Sequence, residues 1–203
     1  MLIDLGRICK RNGLRPKGVI HAGAHLGQEY DTYKKVGIKN VVFIEPCADQ
    51  FSKLHERFKE HSDVKLFNVA CGNYTGQVMM NIETANGGQS NSILTPAKHL
   101  TAHPNIPFIG TEIVDITTLD SLDFDRSLYD MLMMDCQGYE AEVLKGATET
   151  LKNINIVYTE VNNDELYEGC ARINDIKKLL PGFRSIQMSM THWNWGDMIL
   201  KRI

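Results

Sequence analysis

The 203-residue sequence lacks several features that would place it among membrane, secreted or nucleic-acid-binding proteins. It has no apolar run approaching the roughly 20 residues that a membrane span requires. Its formal net charge is -3, so it has no excess of Lys and Arg to neutralise nucleic-acid phosphates. The opening residues, MLIDLGRICKRNG, contain no apolar core of a signal peptide. We therefore expect a cytoplasmic protein with no membrane span and no nucleic-acid partner.

Cysteine is also scarce, and its spacing is irregular. The cysteines are odd in number and include no CxxC pair: Cys9, Cys47, Cys71, Cys136 and Cys170. Neither a zinc site nor a disulfide framework fits this pattern, whereas reduced thiols do. Three oxygen-bearing side chains that suit Mg²⁺ do occur close to strand ends, namely Asp135, Glu160 and Asn162. Nothing in their spacing defines a coordination geometry, and we expect no metal.

The sequence does contain an alternation of apolar runs and amphipathic segments. The predicted strands begin at residue 18 and continue with 41–44, 64–69, 77–82, 112–116, 130–135, 154–161, 183–189 and 195–201. The predicted helices are 2–12, 28–36, 48–61, 139–151 and 172–180. Alternating strands and helices predict an α/β protein with a doubly wound, mostly parallel sheet. The last two strands have no helix between them, so we expect an antiparallel hairpin at one sheet edge.

A single domain spanning residues 1–203 accommodates this pattern. Residues 1–17 form its predicted N-terminal helical cap. Residues 73–118 interrupt the rhythm and form an inserted loop region, rich in Gly, Ser, Asn and Pro over 85–107. A loop this long in a small domain is usually functional or mobile. These two segments are the candidates for covering a site.

The most informative stretch is 130–147, DMLMMDCQGYEAEVLKGA. An apolar strand ends in Asp135, a glycine turn follows, and a helical pattern begins. In open α/β sheets, ligands bind just outside the carboxyl ends of the strands. Asp135 is therefore placed where binding or chemistry occurs.

Two further strand ends indicate the kind of ligand. Gly23-Ala24-His25-Leu26-Gly27 has two glycines spaced GxxxG, not the three of a dinucleotide-binding GxGxxG motif. Such a turn suits a nucleoside cofactor without a pyrophosphate, although a purely structural turn gives the same pattern. Glu45 ends the second strand, close to the roughly 20-residue offset of a ribose-binding acid. The alternative for Glu45 is a carboxylate that faces solvent. By analogy of fold, Asn68-Val69-Ala70 should neighbour an adenine.

Eight segments, in order along the chain, resemble the FkbM-type methyltransferases, a branch of the class I S-adenosylmethionine-dependent enzymes. They are VIHAGAHLGQE (19–29), VVFIEP (41–46), FNVACG (67–72), QSNSIL (89–94), TTLDSL (117–122), MDCQGYEAEVLKGA (134–147), YTEVNNDELYEG (158–169) and GDMILKR (196–202). The chain departs from the family at His21, where many members carry Asp. A neutral His can still form a hydrogen bond there, with a different pH dependence.

The resemblance implies a seven-stranded Rossmann-like sheet with S-adenosylmethionine over the first strand ends. The residues assigned to the cofactor site are His21, Gly23, Ala24, His25, Gly27, Glu45, Ala70, Ser90, Asn91 and Asp135. The implied reaction is methyl transfer to a hydroxyl of a small molecule, a sugar or glycan, or a lipid-like scaffold. The sequence leaves the identity of the acceptor and the oligomeric state open.

Methyl transfer to a hydroxyl requires in-line positioning of the acceptor and removal of its proton. Asp135 and Glu160 are the catalytic candidates because both end apolar strands. His192, in the turn THWNWG, is a weaker candidate because a lone His in a turn usually faces solvent. Trp193, Trp195 and Tyr167 are candidates for an acceptor wall. Asp135 fits equally well as a carboxylate that only orients the reactants.

Two other functions are compatible with the pattern. One is a binding or scaffold module that keeps the fold and holds S-adenosylmethionine without turnover. The other is an NAD-dependent oxidoreductase, against which the missing middle glycine argues.

Overall fold

The computed structural model describes residues 1–203 and contains ten strands and six α-helices. The strands are β1 (Gly18–Ala22), β2 (Asn40–Ile44), β3 (Val64–Phe67), β4 (Ala70–Cys71), β5 (Gly76–Glu83), β6 (Phe108–Thr117), β7 (Met131–Met134), β8 (Ile156–Asn162), β9 (Phe183–Met190) and β10 (Trp195–Arg202). The helices are α1 (Leu5–Asn12), α2 (Tyr30–Lys35), α3 (Ala48–Phe58), α4 (His99–Ala102), α5 (Glu140–Lys145) and α6 (Ile173–Leu179).

Seven strands form the main sheet in the order β3-β2-β1-β7-β8-β10-β9. The first five are parallel, with Val19 of β1 aligned between Val41 of β2 and Met131 of β7. β10 runs antiparallel to both β8 and β9, so the last two strands form an antiparallel hairpin at the edge. The predicted doubly wound, mostly parallel sheet with an antiparallel edge is therefore confirmed.

Helices cover both faces of this sheet, and alternate strand residues belong to opposite layers of the core. In β7, Leu132 and Met134 pack in the layer covered by α5 and α6, and Met131 and Met133 pack in the layer covered by α1, α2 and α3. Because both faces are buried, the central strands are apolar throughout rather than alternating with polar residues. None of the helices combines the length and the apolar character that crossing a bilayer would require.

Residues 73–118 contain more regular structure than a loop. β5 and β6 pair antiparallel, β4 joins β6, and together they form a second, three-stranded sheet. Both long strands extend beyond the predicted 77–82 and 112–116. The added part of β6 contains Ile109, with 64% of its surface exposed, and Gly110, so it lacks the apolar alternation of a half-buried strand. Helix α4 was not predicted.

Other boundaries differ from the prediction for local reasons. The helix predicted over 139–151 ends at Lys145 with Gly146 as its C-cap, where only glycine fits, because a Cβ would lie 1.9 Å from the carbonyl oxygen of Gly72. A short 3-10 turn at Thr150–Asn153 follows instead. The first helix begins at Leu5 rather than residue 2, since the Asp4 side chain accepts a hydrogen bond from the Arg7 N–H and caps it.

Candidate active site

A cavity of about 320 Å³ lies at the carboxyl ends of the parallel strands. Gly23, Glu45 and Asp135 line it directly after β1, β2 and β7, and Glu160 lines it from within β8. The inserted region contributes a second wall from residues 86–106, and Met1 and Leu2 also line the cavity. Ligands bind at this edge of open α/β sheets, so the cavity is the candidate active site.

The turn after β1 requires glycine at residue 23. Gly23 has a φ of +78°, and a Cβ there would lie 1.9 Å from the carbonyl oxygen of Asp135. The N–H groups of Gly23 and Ala24 both donate to the Ile44 carbonyl oxygen at 3.0 Å. This glycine therefore lets the turn pass directly against the end of β7, which brings the turn and Asp135 into one wall.

Gly27 has a different role in the structure. It does not line the cavity, and a Cβ at this position would lie 2.6 Å from the Phe58 ring. Its small size is explained by the packing of α3 against the turn. Gly27 therefore lies outside the candidate site.

Glu45 is buried at the cavity wall and already oriented by the backbone. Its Oε2 accepts a hydrogen bond from the His25 N–H at 2.8 Å, and its Oε1 accepts one from the Cys47 N–H at 3.0 Å. Burial raises the pKa of Glu45, and these two hydrogen bonds oppose that rise. The carboxylate is thus held in one position and does not face bulk solvent.

The third strand end supports Glu45 rather than presenting a free amide. Asn68 donates from Nδ2 to the carbonyl oxygens of Glu45 and Pro46, both at 2.9 Å. Val69 and Ala70 line the cavity, and Asn68 does not. The amide of Asn68 therefore holds the end of β2, and the apolar residues after it form the wall.

Four acidic side chains interact electrostatically beneath the cavity: Asp135, Glu140, Glu160 and Asp197. No ion pair in the protein includes any of them. Burial raises the pKa of both Asp135 and Glu160, and the neighbouring carboxylates raise that of Glu160 further. A positively charged ligand favours the ionised form of such carboxyl groups, so this side of the cavity suits a cationic ligand.

Gln137 connects the two catalytic candidates. Its Nε2 donates to Asp135 Oδ1 at 2.7 Å and to Glu160 Oε2 at 3.1 Å, and its Oε1 accepts from the Tyr167 hydroxyl at 2.8 Å. Sequence analysis missed this residue, which lies in the glycine turn predicted after Asp135. Its position beside Asp135 was visible in the sequence, but the approach of Glu160 from β8 was not.

The turn after Asp135 is held by Glu140 at the start of α5. The Glu140 Oε1 accepts hydrogen bonds from the Cys136 N–H at 2.9 Å and the Gly138 N–H at 3.2 Å. Burial raises the pKa of Glu140 to about 7 despite these bonds. Glu140 thus fixes the turn that carries Gln137, which has a φ of +51°.

His21 is buried in β1 and lines the cavity. Its Nδ1 lies 3.1 Å from the Tyr33 hydroxyl, and its ring packs against Phe43 at a centroid distance of 5.8 Å. Burial lowers the pKa of His21 to about 4, so the imidazole is neutral near pH 7. It offers a hydrogen-bonding group, but not a charge, beside Asp135.

Hydrogen bonds hold the segment around Ser90 in place at two positions, one at Glu83 and one at Gln137. Glu83 accepts hydrogen bonds from the Asn86 and Ser90 N–H groups, and its own N–H donates to Asn91 Oδ1. On the far side, Ser92 Oγ donates to the Gln137 carbonyl oxygen at 2.8 Å. This part of the inserted region therefore forms a fixed wall, in which Ser90 and Asn91 line the cavity.

His25 fastens the same segment to the glycine turn. Its Nε2 lies 2.8 Å from the Gly87 carbonyl oxygen, and its Nδ1 lies 2.7 Å from Gln28 Nε2. The backbone of His25 has a φ of +49°, which directs the N–H towards Glu45. His25 thus joins three parts of the cavity wall.

The structure brings most of the predicted site residues into the cavity wall: His21, Gly23, Ala24, His25, Glu45, Ala70, Ser90, Asn91, Asp135 and Glu160. It does not bring Gly27 or His192 there; His192 is exposed and stacks beside Trp193. Trp195 lines the cavity, and Tyr167 lies behind the wall, linked to Gln137. No group of three or more His, Cys, Asp or Glu side chains has the arrangement of a metal site.

Comparison with solved structures identifies proteins of the same fold. An FkbM methyltransferase from Methylobacillus flagellatus KT superposes with a TM-score of 0.62 at 16% identity, covering 94% of this chain. This chain spans 46% of that protein. Magnesium protoporphyrin IX methyltransferase (ChlM) from Synechocystis PCC 6803, solved with bound S-adenosylmethionine, gives a TM-score of 0.53 at 10% identity, over 97% of this chain and 75% of its own.

Sequence comparison gives a more specific relationship. The 2-O-methyltransferase NoeI of Sinorhizobium fredii (strain NBRC 101917 / NGR234) is 28% identical over 191 residues, which is 90% of this chain and 78% of NoeI. The model of the methyltransferase FkbM domain matches residues 21–191, from the end of β1 to the turn between β9 and β10. This match covers most of the chain and confirms the resemblance seen in the sequence, so the chain belongs to the FkbM methyltransferase domain family.

Proposed function

We propose that this protein transfers the methyl group of S-adenosylmethionine to a hydroxyl of a small-molecule or glycan acceptor. The observation that carries the proposal is the combination, in one cavity, of a glycine turn, an oriented buried carboxylate and an unpaired acidic cluster. NoeI, the relative at 28% identity, is a 2-O-methyltransferase, which favours oxygen as the atom methylated.

The residues of the cavity fit S-adenosylmethionine. Glu45 is positioned to accept hydrogen bonds from both hydroxyls of a ribose in a charge-assisted, bidentate way. Val69 and Ala70 offer an apolar wall for an adenine. The acidic cluster around Asp135 compensates the positive charge of a sulfonium. When bound, the cofactor supplies a methyl group that is already activated by this charge.

The protein's own residues then have two tasks. Asp135 and Glu160 both line the cavity, and we assign the removal of the acceptor's hydroxyl proton to the member of this pair that is ionised. Burial raises the pKa of both groups, so the ionised carboxylate is a stronger base than an ordinary one, whereas a protonated partner cannot accept a proton. Gln137 donates a hydrogen bond to each of the two side chains, so it fixes the position of the base relative to the cavity in which the acceptor binds. The oxygen–methyl bond forms as the sulfur–methyl bond breaks.

Retention of cofactor tests the first half of the proposal. The purified protein is incubated with labelled S-adenosylmethionine and, separately, labelled NAD, and passed through a desalting column. We expect only S-adenosylmethionine to be retained. Retention of NAD instead would indicate an oxidoreductase. Retention of S-adenosylmethionine without turnover on any acceptor of a hydroxyl library would indicate a binding module.

Replacement of Asp135 by Asn tests the second half. The substitution keeps the size of the side chain but removes its charge and its ability to accept a proton, so we expect methyl transfer to fall at least 10²-fold. The control is Asp49→Asn, which alters an exposed carboxylate on α3, with 71% of its side chain exposed. Full turnover by Asp135→Asn, with the control unchanged, would exclude Asp135 as the base.

A further inference from the structure

One part of the cavity wall has no role in the chemistry proposed above. We call it the aromatic wall; its members, which all line the cavity, are His99, His103, Ile106, Leu166 and Trp195. The rings of His99 and His103 lie 4.9 Å apart between centroids, and those of His103 and Trp195 lie 6.3 Å apart. The inserted region and β10 thus form a continuous surface of rings facing the same cavity as Asp135.

Two buried nitrogen atoms of this wall have no hydrogen-bond partner. They are Nδ1 of His99 and Nε1 of Trp195. Only five buried side-chain polar atoms in the protein are unpartnered, and these two belong to cavity-lining residues. Buried polar atoms are normally paired in native proteins, so these two unpaired nitrogen atoms leave the wall with hydrogen-bonding capacity that a ligand can use.

The two nitrogen atoms have complementary chemistry. The indole Nε1 of Trp195 can only donate a hydrogen bond. Burial lowers the pKa of His99 to about 4, so its imidazole is neutral and can accept from a hydroxyl as well as donate to one. His99 also packs against Tyr167, whose hydroxyl donates to Gln137. His99 is therefore linked to Asp135 and Glu160 through its packing against Tyr167 and through the hydrogen bonds of Gln137.

We propose that the aromatic wall is the acceptor subsite and that it binds a ring carrying several hydroxyl groups, that is, a carbohydrate. The aromatic and imidazole faces pack against the C–H face of such a ring, and His99 and Trp195 form hydrogen bonds with its hydroxyls. The inference rests on the proposed function, because it assigns the acceptor of the same site.

The lining argues against two other classes of acceptor. A lipid-like chain would leave both nitrogen atoms buried and unpaired, and sites with unmatched polar groups reject apolar ligands strongly. An anionic acceptor such as a phosphate ester would lie against the acidic cluster, and no Lys or Arg side chain lines the cavity to compensate its charge; the cationic group whose charge acts on Asp135 there is the α-amino group of Met1. A neutral sugar satisfies the nitrogen atoms and brings no negative charge.

The test follows the indole N–H of Trp195 by nuclear magnetic resonance in protein saturated with S-adenosylhomocysteine. The chain has two tryptophans, so Trp195→Phe and Trp193→Phe assign the two signals. The probes are methyl glycosides of neutral hexoses and deoxyhexoses, with cyclohexanol as a ring of equal size that carries one hydroxyl. We expect at least one glycoside to shift the Trp195 signal while cyclohexanol has no effect, and the Trp193 signal to stay unchanged.

Matched histidine variants extend the test. His99→Phe keeps a ring in the wall but removes its nitrogen atoms, and we expect the affinity for the responding glycoside to fall at least tenfold while S-adenosylhomocysteine binding is unchanged. His55→Phe, which alters an exposed residue of α3 outside the cavity, should leave both affinities unchanged.

Three outcomes would count against these ideas in different ways. If no glycoside shifts the Trp195 signal in cofactor-loaded protein, or if cyclohexanol shifts it equally, the carbohydrate subsite is wrong and the proposed methyl transfer stands. If His99→Phe binds the glycoside as tightly as the wild type, His99 has no part in the subsite. If S-adenosylhomocysteine itself does not bind, the proposed function is wrong, and the acceptor assignment falls with it.

Discussion

Glu45, the residue that we propose to bind a ribose, is oriented by its own surroundings. Two backbone N–H groups, from His25 and Cys47, hold its carboxylate in place without a ligand. The side chain therefore loses little conformational freedom on binding, which is the general advantage of a preorganised site. His25 makes this possible by adopting a positive φ in the turn that Gly23 begins.

At this scale we predict that Glu45→Gln weakens binding of S-adenosylmethionine more than tenfold. The amide keeps an oxygen for one backbone N–H but loses the charge that strengthens hydrogen bonds to ribose hydroxyls, a loss of about 1.5–3 kcal/mol. Isothermal titration calorimetry measures the affinity. Asp49→Asn, on the exposed side of the following helix, is the control, and equal affinities for wild type and Glu45→Gln would reject the ribose assignment.

Three acidic residues that sequence analysis identified share one property: Glu45, Asp135 and Glu160 lie at or near the end of an apolar run. They were predictable because a buried strand brings the residues near its carboxyl end to a known edge of the sheet. Gln137 and His99 were not predictable in this way. Gln137 acts by reaching Glu160, which lies on a different strand, and His99 begins α4, a four-residue helix whose position no periodicity indicates.

At the scale of elements, the turn between β7 and α5 is the part of the fold on which the site depends most. It carries Asp135 and Gln137, and it is held by Glu140, the first residue of the helix that follows. The side chain of Glu140 folds back to the N–H groups of Cys136 and Gly138. One buried carboxyl group thus accepts from two N–H groups that the backbone of the turn leaves unpaired.

We predict that Glu140→Ala destabilises the protein by about 1–3 kcal/mol, because it leaves the Cys136 and Gly138 N–H groups without their partner. Chemical denaturation followed by circular dichroism measures the free energy of unfolding. Glu142→Ala is a matched control on the same helix: Glu142 pairs at the surface with Lys145, so its loss should cost less than about 1 kcal/mol. Equal losses in the two variants would show that Glu140 does not hold the turn.

The sequence predicted the elements of the main sheet more reliably than those of the inserted region. Strands such as β7 and β8 are apolar on both faces, which leaves little ambiguity. In the inserted region, by contrast, β5 and β6 expose Met79 and Ile113 to solvent, so their pattern resembles neither a buried strand nor an alternating one. Helix α4 has only four residues and rests on tertiary packing, which no local signal reveals.

At the scale of the whole molecule, the acidic cluster makes folding and ligand binding depend on pH together. Glu140 has a pKa of about 7, and that of Glu160 is raised well above its ordinary value by burial and by the neighbouring Asp135. Near neutral pH the folded protein therefore holds protons on these groups that the unfolded chain releases. Since the unfolded state binds fewer protons, these groups make the free energy of unfolding fall as pH rises.

Buried histidines contribute with the opposite sign. The pKa values of His21 and His99 are lowered by burial to about 4, so the unfolded chain binds more protons below about pH 6.5 and stability rises with pH there. The two effects overlap, and the total profile alone does not separate them. The difference between wild type and Glu160→Gln does, because both proteins carry the same histidines.

We predict that the stability advantage of Glu160→Gln over the ligand-free wild type grows as pH rises from 6.0 to 7.5, because only the wild type must ionise a buried carboxyl group.

A cationic ligand favours the ionised form of the carboxyl groups in the cavity. Protons are therefore released when it binds, and its affinity increases with pH. The rise in melting temperature that S-adenosylmethionine causes should therefore be larger at pH 7.5 than at pH 6.0 in the wild type. S-adenosylhomocysteine, whose sulfur is neutral, should show a smaller increase, and Glu160→Gln should flatten both. Thermal denaturation with each ligand at the two pH values measures these differences. A wild-type response to S-adenosylmethionine that is independent of pH, or identical for the two ligands, would mean that the acidic cluster does not compensate the sulfonium charge.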